Sequence, residues 1–133
     1  PDDQPPGFGD ILSCGGWVLK AKEELPYLNN VYSFGLKDTD SSDILAFTDS
    51  IPTDLPLYIS IDKDALSKDF AITDWDQGSL ALPQLLDLLE AVCSNRKLLG
   101  IDICGDTCEE DLDASDINSS TNSILFDFFK GKF

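Results

Sequence analysis

The sequence predicts an α/β fold with a mostly parallel sheet. Two apolar blocks of strand length, residues 57–62 and 98–103, flank a segment, 82–94, whose leucines recur at helical spacing. Strand, helix and strand in that order and at that separation have the pattern of a βαβ unit. Such a unit implies parallel neighbours and a right-handed crossover.

Each element has its own local reason. Residues 1–9 hold three prolines and two glycines and are expected to be a tail or a severed loop. A helix is expected through residues 11–25, with Ser13 as its N-cap, Trp17 in the core and Pro26 at its end; Gly15-Gly16 weakens its first turn and admits a close neighbour. Val31–Leu36 and Ile44–Phe47 are β-rich blocks, separated by a turn-like run of Asp, Ser and Thr at 38–43. Leu57–Asp62 is a buried strand. Residues 67–81 form a long loop containing Asp74-Trp75-Asp76-Gln77-Gly78. In the helix over 82–94, Leu82, Leu85, Leu86, Leu89 and Cys93 make the apolar stripe, Pro83 suits the first turn, and Asp87 and Glu90 mark the wet side. Leu98–Ile103 is the next strand. An acidic loop over 105–117 leads to a last helix, Asn118–Lys130, capped by Ser119 or Ser120, striped by Ile124, Leu125, Phe128 and Phe129, and stopped by Gly131. The expected order is helix, three strands, helix, strand, helix, in a single domain over 1–133.

Composition narrows the function. Of 133 residues, 25 are acidic and 9 basic, giving a formal charge of −16. Such a surface disfavours nucleic acid and anionic membranes and favours cations. No apolar run approaches the roughly 20 residues of a membrane span. Four cysteines, Cys14, Cys93, Cys104 and Cys108, stand in a chain large enough to fold without staples. Free thiols in a reducing cytoplasm are the expectation. Cys104-x3-Cys108 lacks zinc-finger spacing, and with no histidine in the chain a cysteine nucleophile has no imidazole base. The chain begins at Pro1 and contains no methionine, as expected of a trimmed chain.

The strongest chemical signal is Ser60-Ile61-Asp62-Lys63-Asp64-Ala65-Leu66. In extended backbone, Asp62 and Asp64 share a face and Lys63 takes the other. Two carboxylates at the carboxyl end of a core strand repel each other, and a hard divalent cation relieves that repulsion. The alternative is that they cap a following turn or helix. Asp102, mid-strand, either reaches the same cleft or pairs with a lysine. Trp75, Asp76 and Gln77 either line a substrate pocket or serve packing and the turn.

That heptapeptide resembles the Ser-x-Asp-x-Asp-x-Leu signature of the arginase (ureohydrolase) superfamily. Thr73-Asp74-Trp75-Asp76-Gln77-Gly78, the leucine-rich helix, Leu99-Gly100-Ile101-Asp102-Ile103-Cys104-Gly105 and Ser13-Cys14-Gly15-Gly16-Trp17 are similar to an uncharacterised arginase-like branch. The resemblance runs over residues 8–130 and is most specific over 57–105. It implies a three-layer α/β sandwich around a parallel sheet. It also implies two manganese ions sharing a hydroxide that attacks the substrate carbon. Asp62 and Asp64 match the late pair of metal ligands. The earlier ligands of the family, a His and an Asp-x-His-x-Asp motif, are absent, so the chain resembles the C-terminal portion of such a domain. Where arginases carry a glutamate after the later strand, this chain has Gly105 and Asp106.

Two functions follow as expectations. One is part of an arginase-like manganese-dependent hydrolase acting on a C–N bond of an amidine, guanidine or amide. In it Asp62 and Asp64 hold metal, Trp75, Gln77 and Asp106 meet a small-molecule substrate, and the isolated chain binds metal weakly. The other is a non-catalytic acidic α/β interaction module. With strand edges and helix faces uncovered, a homo-oligomer is a further expectation.

Overall fold

A parallel pair of strands, β1 (Leu57–Asp62) and β2 (Leu98–Cys104), sets the architecture. The computed structural model describes residues 16–35, 44–107 and 112–133. The described part is mixed α/β and comprises helices α1 (Trp17–Glu24), α2 (Ile44–Ser50), α3 (Leu82–Cys93) and α4 (Leu112–Phe129) and the two-stranded sheet. The chain divides into two compact units, one ending at Phe34 and one running from Gly35 to Phe133.

In the first unit α1 runs from Trp17 to Glu24, and Lys20 pairs with Glu24 one turn on (3.1 Å). The expected start of this helix, with its Ser13 cap, Cys14 and Gly15, lies outside the described residues. Trp17, expected in the core, is 38% exposed. Residues 31–35 form no strand, contrary to expectation.

The second unit is built on the expected β1–α3–β2 unit. Ile59 pairs with Ile101, Ser60 with Asp102, Ile61 with Ile103 and Asp62 with Cys104. Period-2 alternation buries Ile61 and exposes Tyr58 and Ser60. The Tyr58 ring lies across Gly100, where a Cβ would come within 2.9 Å of it, so the glycine gives the ring a flat seat. α3 buries Leu82, Leu85, Leu88, Leu89 and Val92. Leu88 and Val92 thus replace the expected Leu86 and Cys93, which are half-buried, a small rotation of the stripe about the axis. Gln84 accepts the Ala81 amide (3.0 Å), half of a capping box, and Pro83 sits in the first turn.

Two local readings are corrected. Residues 44–50 are helix α2, not a strand. Thr48 donates to the Ile44 carbonyl (2.8 Å), and the end of the helix is held by Arg96. That guanidinium donates to Thr48 O (3.3 Å), Ile51 O (2.7 Å) and Pro52 O (3.3 Å), and on the α3 side to Val92 O (2.9 Å). Orphan carbonyls at two helix ends are thereby satisfied by one side chain. α4 begins at Leu112, so Ser119 and Ser120 lie inside it instead of capping it, and part of the expected acidic loop is helical. Its buried positions are Ala114, Asn118, Thr121, Leu125 and Phe129, while Ile124 is 41% exposed. Gly131, at φ +85°, follows its end.

The segment between β1 and α3 is a loop, as expected, but a tightly held one. Leu66 and Leu80 form a parallel bridge, Ser67 donates to Leu80 O (2.9 Å), and Gly78 donates to Asp64 O (2.6 Å). A Cβ on Gly78 would lie 2.4 Å from the Ala65 carbonyl oxygen, so only glycine fits there. From α4, Asn118 clamps Ile72 at both its N–H (2.9 Å) and its C=O (2.8 Å), and Thr121 donates to Phe70 O.

Candidate functional site

Extended backbone ends at Asp62, and Lys63–Ala65 turn into one 3-10 turn. Asp62 is the N-cap of that turn: its Oδ1 accepts the Asp64 amide at 3.0 Å. The capping alternative thus holds for Asp62, while Asp64 supplies the capped amide. A carboxylate offers about four lone-pair directions, and the cap uses one of them. Because Asp64 lies in the turn and not the strand, strand alternation does not set the direction of its side chain.

Lys63 is fully buried. Its ammonium donates to Asp106 Oδ1, just after β2, and to Asn122 Oδ1 on α4 (2.9 Å). The side chain between the two aspartates therefore runs into the protein and ends in a buried charge with two partners. The arrangement obeys the rule that a buried charge must be paired and hydrogen-bonded.

Gly105 packs against the same turn with φ +90°. A Cβ there would lie 2.9 Å from Asp62 Oδ1, 3.1 Å from the Lys63 amide nitrogen and 3.3 Å from that of Asp64. Thr107 then hydrogen-bonds Asp74 in the loop after β1. Three successive residues after β2 thus meet the strand-end turn, the buried lysine and the loop.

The other expected site residues are placed as follows. Asp106 is the partner of Lys63. Gln77 is half-buried, and its amide donates to Ala71 O (2.7 Å) and Leu66 O (3.3 Å), bracing the loop. Trp75 is 68% exposed. Asp102 neither joins the turn nor meets a lysine. It accepts from Ser60 across the strands (2.8 Å) and hydrogen-bonds the Tyr58 phenol, whose pKa is raised by that bond and by the nearby negative charge. Cys93 is a free thiol whose pKa is raised by burial, and the exposed Cys104 donates its thiol to Ile61 O (3.6 Å). Cys14 and Cys108 lie outside the described residues.

Sequence reasoning did not find the roles of Gly105, Asn122, Thr107 and Asn118. The available signals were a glycine directly after a strand and polar residues at helical spacing along α4.

The donor chemistry can be tested against a divalent ion. Carboxylate oxygens suit a hard cation such as manganese, magnesium or calcium. The number of donors is another matter. Among the described residues no three His, Cys, Asp or Glu side chains gather into a metal-sized group. Two ions roughly 3.5–4 Å apart need more ligands than that. The described residues therefore do not fit a mononuclear or binuclear metal centre by themselves.

Fold and site define a mixed α/β protein with a capped carboxylate turn at the carboxyl end of a parallel strand, the end at which open α/β sheets generally bind ligands. The chain is similar to a Thermotoga maritima protein described as an uncharacterized protein, with 34% identity over 104 residues. That similarity takes in 73% of this chain and 42% of the relative, so the chain spans less than half the length of the protein it matches. No family model and no solved structure matches it. No described helix is long and apolar enough to cross a membrane.

Proposed function

We propose that this chain contributes part of the hard-cation site of an arginase-like, metal-dependent hydrolase acting on a C–N bond. The observation that carries the reading is the Asp62-Lys63-Asp64 turn. Two carboxylates flank a lysine whose charge is drawn inward to Asp106, at the carboxyl end of a parallel strand. On this reading the remaining donors come from outside the described residues, and the sheet is one part of a three-layer sandwich. Manganese is the favoured ion. When bound, such an ion supplies a water nucleophile at neutral pH and polarises the substrate carbon. This chain's own residues shape the site: Asp62 and Asp64 present oxygen donors, and Gln77 braces the loop that carries Trp75 towards an amidine, guanidine or amide. Asp106 faces two demands, and its bond to Lys63 makes direct substrate contact the weaker of them.

A manganese titration of the chain, followed by the loss of the free-ion electron paramagnetic resonance signal, tests the reading. Wild type should bind with a dissociation constant on the order of 1 mM, as expected of an incomplete oxygen shell. Asp62→Asn and Asp64→Asn should each abolish that binding. Identical curves for wild type and Asp62→Asn would remove Asp62 from the site, and a tight binuclear stoichiometry would overturn the incompleteness. A second reading, a non-catalytic acidic interaction module, is favoured by the lack, among the described residues, of any group of three ligand-type side chains that could hold an ion.

A further inference from the structure

We propose that Lys63, Asp106 and Gly105 are positioning residues that hold the Asp62–Asp64 turn in its capped form. The proposal deepens the metal-site reading by saying what fixes the two carboxylates. It stands on geometry that is present without any ion.

The turn is held from two sides. From inside, the Lys63 side chain passes into the core with no exposed surface and ends on Asp106 and on Asn122 of α4. A lysine with free stem rotation would let the residue at the head of the 3-10 turn swing. One whose ammonium is fixed at both acceptors, in the low-dielectric interior, pins the backbone between the two aspartates. From outside, Gly105 lies so close to Asp62 Oδ1 and to the amides of Lys63 and Asp64 that a methyl group would overlap the carboxylate. The carboxylate is thus confined over the Asp64 amide that it caps at 3.0 Å.

Asp106 takes a particular part in this. It lies immediately after Gly105 and accepts the lysine charge while its own side chain stays 54% exposed. The pair draws the one cation of the turn away from the two carboxylates without burying a second full charge. The sequence position that suggested substrate contact for Asp106 is, on this inference, a neutralising and anchoring position.

Amide hydrogen exchange resolved by residue, read with and without manganese, tests the inference. Lys63→Met keeps the volume and apolar stem but removes the tether, and the Asp106 carboxylate it leaves behind faces water. Gly105→Ala crowds the carboxylate from the other side. Both variants should speed exchange of the Asp64 amide about tenfold or more, as for the loss of one hydrogen bond, while Leu89 in α3 exchanges as in wild type. Asp106→Glu, which retains the charge, should keep Asp64 protected, whereas Asp106→Asn should not. Wild-type protection of Asp64 in Lys63→Met overturns the inference. So does an acceleration equal at Asp64 and Leu89, because that reports general loosening and not positioning. Manganese affinity should fall in parallel with Asp64 protection. If wild type and Asp62→Asn bind manganese alike, the metal-site reading fails, and the exchange pattern still decides whether these residues hold the turn.

Discussion

Replacing Asn118 by alanine should destabilise the protein by about 2–3 kcal/mol. Asn118 is 5% exposed, and its amide both accepts from Ile72 N (2.9 Å) and donates to Ile72 O (2.8 Å). Each such hydrogen bond contributes roughly 1 kcal/mol net, and a buried backbone group left without a partner adds about 1–3 kcal/mol. Ile72 is only half-buried, so water recovers part of that second cost, and the sum stays near the lower figure. Against a total stability of about 5–15 kcal/mol this is a large share. With a urea m-value of roughly 1–3 kcal/mol/M, the unfolding midpoint should fall by about 0.7–3 M. Thr121→Val removes only the bond to Phe70 O, from a side chain that is 3% exposed, and should cost about 1 kcal/mol. Both side chains hold residues 70–72, so the double variant should lose less than the sum of the two. Urea unfolding followed by circular dichroism measures all three. An Asn118→Ala loss below about 0.5 kcal/mol would refute the clamp, since that is the range of an uninvolved surface position.

Two further outcomes are expected. The Tyr58 phenol should titrate above its ordinary value of 10.0, because Asp102 hydrogen-bonds its neutral form and repels the phenolate. A raised folded-state pKa contributes stability that is fully present below about pH 10 and is lost as pH rises through the raised value. Asp102→Ala should bring the Tyr58 midpoint, followed by carbon NMR at Cζ, back down, and an unmoved midpoint would reject the assignment. Brief alkylation with iodoacetamide followed by peptide mapping should label Cys104, which is exposed, ahead of Cys93, whose thiol is half-buried and held neutral by burial. The reverse order would contradict the burial of Cys93.

What the sequence disclosed depended on how local each cause was. The β1–α3–β2 unit was legible because two apolar blocks and a leucine stripe state it within their own residues, and the stripe was read to within one residue of its true face. α2 was not legible. Ile44–Phe47 is too short an apolar run to distinguish a strand from a helix turn, and one of the groups that satisfy its last carbonyls comes from Arg96, 48 residues beyond Thr48. The start of α4 was missed for a related reason. Its buried stripe includes Asn118 and Thr121, which read as loop or cap residues until their partners at 70–72 are known. At the candidate site the aspartate pair was visible, but the burial of Lys63 was not, because Lys63 lies in the 3-10 turn and strand alternation stops at Asp62. That Asp106 and Asn122 would receive its charge was not visible, since both partners are distant in sequence.

The unequal burial of Lys63 and Asp106 decides how the turn should be understood. An exposed ion pair there would contribute little and would leave a mobile ammonium beside the carboxylates. A pair buried at both ends would carry two desolvation costs and would be a weak argument for stability. Here the lysine is 0% exposed and the aspartate 54%. Removing the carboxylate therefore strands a buried charge, whereas removing the lysine leaves an acid that water can solvate. The cost of error falls on one side, so Asp106 follows from Lys63 and not the reverse. A chain with 25 acidic residues has no shortage of carboxylates to place at a strand end. What marks this strand end is that the lysine of its turn is buried and matched by both Asp106 and Asn122.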